Sequence, residues 1–249
     1  RDGGSIVVQG SVIVAADGLH SSVRAQMHPT QPAPHWEGAV LWRGATYGPP
    51  IRSGASFTLI GSLDQRFIHY PISAPDPDTG LQLQNWIAEL SFDPSEGWPE
   101  SNWNRQVDIG KFLPSFEDWK FDWLDIPSLV RDSPAVWEFP MVDRDPAHHW
   151  VDERVCLLGD AAHVMYPVGS NGASQAIVDA RVMGAKFLDY GVTAEALQAF
   201  QDELIEPMSA LVLRNRGNGP VGILGLVDER CGGVFDDIDD VIPRAEVES

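Results

Sequence analysis

The chain has 249 residues, 43% of them hydrophobic, and a formal net charge of −19 at pH 7. That length supplies one large or two small cores, and the carboxylate excess disfavours a nucleic-acid backbone or an anionic membrane surface as partner. No apolar run reaches the length of a membrane span, no signal-peptide pattern stands at the start, and Cys156 and Cys231 are too few for a disulfide framework, so a cytoplasmic protein is expected.

Ser5 to Ala16 reads as two strands meeting near Gln9-Gly10-Ser11. The second, Val12-Ile13-Val14-Ala15-Ala16, is a continuous apolar run, the pattern of a strand covered on both faces. It ends in Asp17-Gly18, and Leu19-His20-Ser21-Ser22-Val23-Arg24 reads as a helix start with serine caps. This helix, Ser21 to Met27, stops at Pro29, and Pro29 to Pro34 is a connector. The period then changes to that of strands: Gly38 to Tyr47, Ser56 to Gly61, Arg66 to Pro71 and Leu81 to Phe92, with a hairpin signal at Gly80. Asp108 to Val130 predicts short helices broken by Pro114 and Pro127, and Ala135 to Pro140 one more strand.

Val155-Cys156-Leu157-Leu158 is a second short buried-strand pattern; it ends in Gly159-Asp160 and turns straight into Ala161-Ala162-His163. Cys156 inside it reads as a small hydrophobe. The loop Tyr166-Pro167-Val168-Gly169-Ser170-Asn171-Gly172 leads into a helix. There Ala173, Ala176, Ile177, Ala180, Met183, Gly184, Phe187 and Leu188 are expected to form the inward face. Thr193 is the expected cap of the next helix, with Leu197, Phe200, Leu204, Met208 and Leu211 as its stripe and a kink or break at Pro207. A literal G-x-G-x-x-G occurs at Gly217 to Gly222, but it follows a helical pattern, and Pro220 lacks the N–H a phosphate cradle uses, so it reads as a loop. From Asp228 onward the acidic run (Asp236, Asp237, Asp239, Asp240, Glu246, Glu248) reads as a solvated tail.

Two strands thus end in a carboxylate and each feeds a helix. In open α/β sheets ligands bind outside the carboxyl ends of strands. A carboxylate there suits a ligand with hydroxyls, and glycines let backbone N–H groups approach a planar or anionic group at a helix N-terminus. The pieces point to a nucleotide-cofactor site. His148-His149 with Asp143, Asp145 and Asp152 does not read as a metal site, because adjacent histidines project in different directions. No relay partner for His163 is visible. Trp42, Trp86 and Trp137 fall in predicted strands as core or pocket wall rather than a stacking platform for bases.

Ala16-Asp17-Gly18 through Arg24 resembles the DG fingerprint, and Gly159-Asp160-Ala161-Ala162-His163 with Pro167 and Gly169 the GD fingerprint, of the FAD-dependent aromatic hydroxylases of the para-hydroxybenzoate and salicylate hydroxylase class. Within that class the phenazine-carboxylate monooxygenases are the nearest in pattern, through Met141 to Pro146, Met165 to Pro167 and Asn171 to Ile177. The resemblance runs from about Val12 to about Arg216. It implies an α/β flavoprotein hydroxylase fold, Rossmann-like and FAD/NAD(P)-binding, with an inserted antiparallel sheet. The N-terminal βαβ with its G-x-G-x-x-G is not in the sequence, so the chain is expected to be the C-terminal two-thirds of a family member. Residues 1–34 and 141–216 would be parts of the FAD domain, 35–140 the substrate domain, and 217–249 a loop and tail.

The resemblance further implies FAD as cofactor, NAD(P)H and O2 as co-substrates and a small aromatic substrate, phenazine- or salicylate-like, that is hydroxylated. Asp160 would accept from a ribityl hydroxyl. The loop Pro167, Gly169, Ser170, Asn171 and Gly172 would run along the flavin ring, with Ala173 and Ser174 as N–H donors and Gly169 and Gly172 giving close approach. Gly159 and Ala161 belong to the same turn. Asp17, Gly18 and Arg24 would lie near the pyrophosphate, where an Asp more plausibly orders a turn or an Arg than meets phosphate directly. Trp42, Arg43, Tyr70 and Tyr166 are the candidate substrate-lining residues, Arg43 as partner for a substrate carboxylate or as a structural salt bridge. The alternatives are a flavin epoxidase or reductase of the same superfamily and a non-catalytic, partner-binding fragment.

Overall fold

The computed structural model describes residues 6–97, 105–217 and 219–247. Ser5, Asn218 and Glu248, named above, lie outside them. In chain order the elements are β1 (Ile13–Ala15), α1 (Ser22–Met27), β2 (His35–Gly48), β3 (Thr58–Gly61), β4 (Gln65–Pro71), β5 (Gln82–Ser91), β6 (Arg105–Gln106), β7 (Lys120–Phe121), β8 (Leu124–Asp125) and α2 (Ile126–Arg131). They continue with β9 (Val136–Asp143), β10 (Val151–Asp152), β11 (Val155–Leu157), α3 (Asp160–His163), α4 (Gly172–Tyr190), α5 (Ala194–Asn215), α6 (Gly222–Cys231), α7 (Ile238–Val241) and α8 (Arg244–Val247). Two compact units result: Arg1–His35 with Val142–Pro220, and Trp36–Met141 with Val221–Ser249.

The first unit is an α/β layer. β1 pairs parallel to β11 in the register Ile13 to Val155 and Ala15 to Leu157, and β10 adds antiparallel on the other side of β11. Leu157, Cys156, Trp150 and Ala161 pack against the α5 stripe of Leu197, Phe200, Leu204, Met208 and Leu211. Thr193 caps α5 as expected, its hydroxyl accepting from the Ala196 N–H. Of the kink or break expected at Pro207, the break does not occur: α5 runs as one helix of 22 residues with Pro207 inside it, because the buried stripe on either side of Pro207 outweighs one lost backbone bond.

Two further expectations fail in this unit. Residues 6–12 form no strand, and Ile6, Val7 and Val8 are exposed. An apolar run becomes a strand only when another strand satisfies its N–H and C=O groups, and none of the described residues does so. Among the described residues β1 is likewise an edge strand, with Ile13 and Val14 exposed rather than covered on both faces. In α4 the sequence holds two apolar stripes, and spacing does not say which faces inward. The buried positions are Asp179 and Met183, with Phe187 half-buried, while Ile177 and Leu188 are 72% and 89% exposed.

The second unit is a six-stranded sheet in the order β3-β4-β5-β2-β9-β6, beside the small β7–β8 ribbon. β3–β4, β4–β5, β5–β2 and β6–β9 are antiparallel. One face carries Val40, Trp42, Phe67, Trp86 and Ala88 against Phe112, Phe116, Ile126 and Val130 of the short helical turns that follow β6 and of α2. Gly44 is required here, since a Cβ would run into the Trp86 ring. The expected C-terminal loop and acidic tail are instead helical: α6, α7 and α8 form, Asp237 caps α7, and Arg230 bonds to Glu246 and the Val241 carbonyl. No helix among the described residues is long and apolar enough to cross a membrane.

Candidate cofactor site

The Asp17-Gly18 turn follows β1. Gly18 has φ +80°, a conformation that favours glycine. The Asp17 carboxylate accepts from the Ser22 N–H at 2.9 Å, while Ser21 caps α1 by accepting from the Arg24 N–H. Slight burial pushes the Asp17 carboxyl up, but hydrogen bonds from Ser21, Val23 and Ser22 outweigh it and hold its pKa below the ordinary value. Arg24 is 2% exposed and donates to the carbonyls of Ala161 (3.0 Å), Ala162 (2.8 Å) and Asp145 (2.9 Å) and to Gln31 (2.8 Å). Burial, and then the neighbouring Arg144, push its pKa down to about 10. This is not a surface arginine: it staples α1, which follows β1, to α3, which follows β11.

The second turn is built from Gly159, φ +61°, as the cap of α3, and Asp160 as the first helical residue. Asp160 is exposed. Ala161 is fully buried, and its carbonyl is taken by Arg24. The parallel register and the Leu158 N–H to Ala15 carbonyl bond (2.9 Å) place both carboxylate-bearing turns at the same end of adjacent strands. Pro167–Gly169 is a 3-10 turn and Ser170 is left-handed at φ +53°. Asn171 caps α4 without a side-chain hydrogen bond, which leaves the first-turn N–H groups uncapped by that side chain, and Ala173 and Ser174 are exposed. The two glycines of the loop differ. At Gly172 φ is not positive and nothing lies within 4 Å of a would-be Cβ, whereas a Cβ on Gly169 would strike Asn171 of its own loop.

An exposed carboxylate at a strand end and an open helix N-terminus, with free space at Gly172, fit a ligand with hydroxyls and an acceptor edge. The family model described as FAD binding domain matches residues 125–198. The phenazine 1,6-dicarboxylic acid hydroxylase of Lysobacter antibioticus is 41% identical over 218 residues, 86% of this chain and 53% of that protein. A salicylate hydroxylase of Pseudomonas putida is 26% identical, over 77% of this chain and 47% of its own. The crystal structure of Klebsiella pneumoniae HpxO, complexed with FAD and uric acid, superposes with a TM-score of 0.66 at 24% identity, over 87% of this chain and 52% of that one. Over that span the chain is similar to FAD-dependent aromatic hydroxylases. It spans about half the length of the curated relatives it matches.

In the structure the candidate substrate residues separate. Side chains alternate across a strand, so Trp42 and Arg43 of β2 cannot share a face. Trp42 is 2% exposed and points into the core, stacked on Phe112 at 4.8 Å with its indole N–H on Glu138. That excludes it from lining a substrate. Arg43 lies on the opposite face with Tyr70, and burial lowers its pKa against the pull of Tyr70 and Glu89. Its guanidinium sits over the Phe139 ring. Tyr166 is 1% exposed, and its hydroxyl donates to the His35 carbonyl, so it supports the loop from behind.

Two groups escaped the sequence reading. Asp179 is fully buried and accepts from the Gly159 N–H and from His163; a lone acid on the inward stripe of α4 was the available signal. Arg216 forks onto Asp143 at 2.7 and 2.9 Å and reaches Asp145 at 2.9 Å, tying the end of α5 to the end of β9. Those hydrogen bonds raise the Arg216 pKa above its ordinary value.

Proposed function

We propose that this chain contributes to the flavin site of an NAD(P)H-dependent monooxygenase that hydroxylates a small aromatic acid. The observation that carries the reading is the parallel pairing of β1 with β11, which sets two carboxylate-bearing turns side by side next to the open first turn of α4. Asp160 would hold a ribityl hydroxyl of FAD, and the N–H groups of Gly172, Ala173 and Ser174 would donate to the pyrimidine edge of the ring. Their helix N-terminus favours negative charge there. Asp17 and Gly18 would order the turn nearest the pyrophosphate. Bound FAD would supply the redox chemistry, taking electrons from NAD(P)H and delivering an oxygen atom from O2.

The named relatives act on aromatic acids, a phenazine dicarboxylic acid and salicylate. That supports a carboxylated ring as substrate, with Arg43 as its anion partner and Tyr70 on the same face of the sheet. The test is direct. The full-length gene product should purify yellow, and aromatic carboxylic acids should stimulate its NAD(P)H oxidation and gain one oxygen atom. A colourless protein that takes up no added FAD defeats the reading.

A further inference from the structure

One buried carboxylate joins the two halves of the proposed flavin site. Asp179 lies mid-way along α4, the helix whose first turn would face the flavin ring, and is fully buried. A single oxygen, Oδ2, accepts from the Gly159 N–H at 2.9 Å and from His163 Nε2 at 2.7 Å. Gly159 is the cap of α3 and His163 its last residue, so that oxygen holds both ends of the turn that presents Asp160. The His163 ring is packed 5.4 Å from Trp150, which rests on Phe200. Asp179 Oδ1 and His163 Nδ1 are buried without a partner. An acid and an imidazole with idle polar atoms are an expensive way to fill a core position that leucine could fill. Directional bonds to the turn are what leucine could not supply.

We propose that Asp179 is a positioning residue of the flavin site, fixing the Gly159-Asp160 turn against α4 with His163 as its second tether. Its consequence for FAD rests on the function proposed above. The experiment compares Asp179→Leu, Asp179→Asn and Met183→Ala in the full-length gene product. Asn keeps an oxygen where Oδ2 stands, Leu keeps only the bulk, and Met183 is a buried residue one turn further along α4 whose side chain is apolar. Hydrogen exchange at the Gly159 amide, FAD affinity and Tm are measured.

Asp179→Leu should speed Gly159 exchange and weaken FAD binding about tenfold or more each, the scale of a lost charge-assisted bond. Asp179→Asn should stay within about threefold on both, by the same scale. Met183→Ala should lower Tm while leaving FAD affinity near that of the parent. FAD affinity unchanged in Asp179→Leu, or weakened equally by Met183→Ala, overturns the proposal. Should Asp179→Leu not fold, His163→Phe keeps the packing on Trp150 without the donor, and unaltered exchange at Gly159 in that variant overturns it too. If the parent binds no FAD, the function reading falls, and Gly159 exchange alone decides the positioning role.

Discussion

One face of the six-stranded sheet in the second unit packs by burying rings, whereas the first unit holds its two turns by buried polar bonds. Phe67, Trp86, Phe112 and Phe116 are each at most 1% exposed and stack on or against one another. Aromatic burial is strong but only loosely directional. Around the paired turns the buried groups are instead Arg24, Asp143, His163 and Asp179, each bonded to a named partner. Where a carboxylate must be presented at a set position, geometry matters more than area, and hydrogen bonds specify geometry.

The largest effects should come from removing one organiser of each kind. Trp86→Ala should destabilise the chain by about 3–5 kcal/mol, the range for emptying a ring-sized core site. Arg216→Met, which takes the fork away from the fully buried Asp143, should cost a similar ~3–5 kcal/mol. Conservative replacement separates the two: Trp86→Phe should recover much of the loss, and Arg216→Lys little, because lysine cannot bond both carboxylate oxygens as a fork. Denaturant midpoints of the four variants check this. Equal recovery by Phe and Lys would erase the distinction between the units.

Next in size is Asp160→Ala. The side chain is exposed, so stability should be unchanged within about 0.5 kcal/mol, while FAD affinity in the full-length protein falls by about 1.5–3 kcal/mol. A flavin titration indistinguishable from the parent's removes Asp160 from the site.

A glycine pair sharpens the point about geometry. Gly159→Ala forces a Cβ onto φ +61° and should cost about 1–3 kcal/mol. Gly172→Ala meets open space in the first turn of α4. Its effect on stability should be neutral or a gain of up to about 1 kcal/mol, and any loss should show in flavin binding alone. Thermal melts with and without FAD distinguish the two positions.

The smallest effect expected concerns pH. Burial holds the pKa of His69, in the second unit, below its ordinary 6.5, although a bond to Gln84 pulls the other way. The unfolded chain therefore binds the proton first, and stability should fall as pH drops below about 6.5 until the folded histidine also titrates. His69→Leu should flatten that slope in denaturant midpoints measured between about pH 8 and 5. An unaltered slope would mean that other groups set the acid sensitivity.

Much of the site was legible because it is local. A strand, a carboxylate and a capped helix follow one another within ten residues at Asp17 and again at Asp160, and each piece is set by short-range chemistry. The Trp42 and Arg43 assignment was a misreading of available information, since the period of two already put them on opposite faces.

By itself the sequence determined the two carboxylate turns, the stripe of α5 and five of the six strands of the large sheet, all but β6. These follow from periodicity, caps and motif spacing, all properties of neighbouring residues. Tertiary structure alone decided that Arg24 serves the carbonyls of residues 137 and 138 positions away, that Asp179 holds a turn 20 residues upstream, and which stripe of α4 faces inward. It also decided that the apolar run at Ile6 to Val8 forms no strand. The physical reason is shared. Whether a buried polar group is satisfied, an apolar face covered or a strand paired depends on its partner, and no local pattern states where in the chain that partner lies.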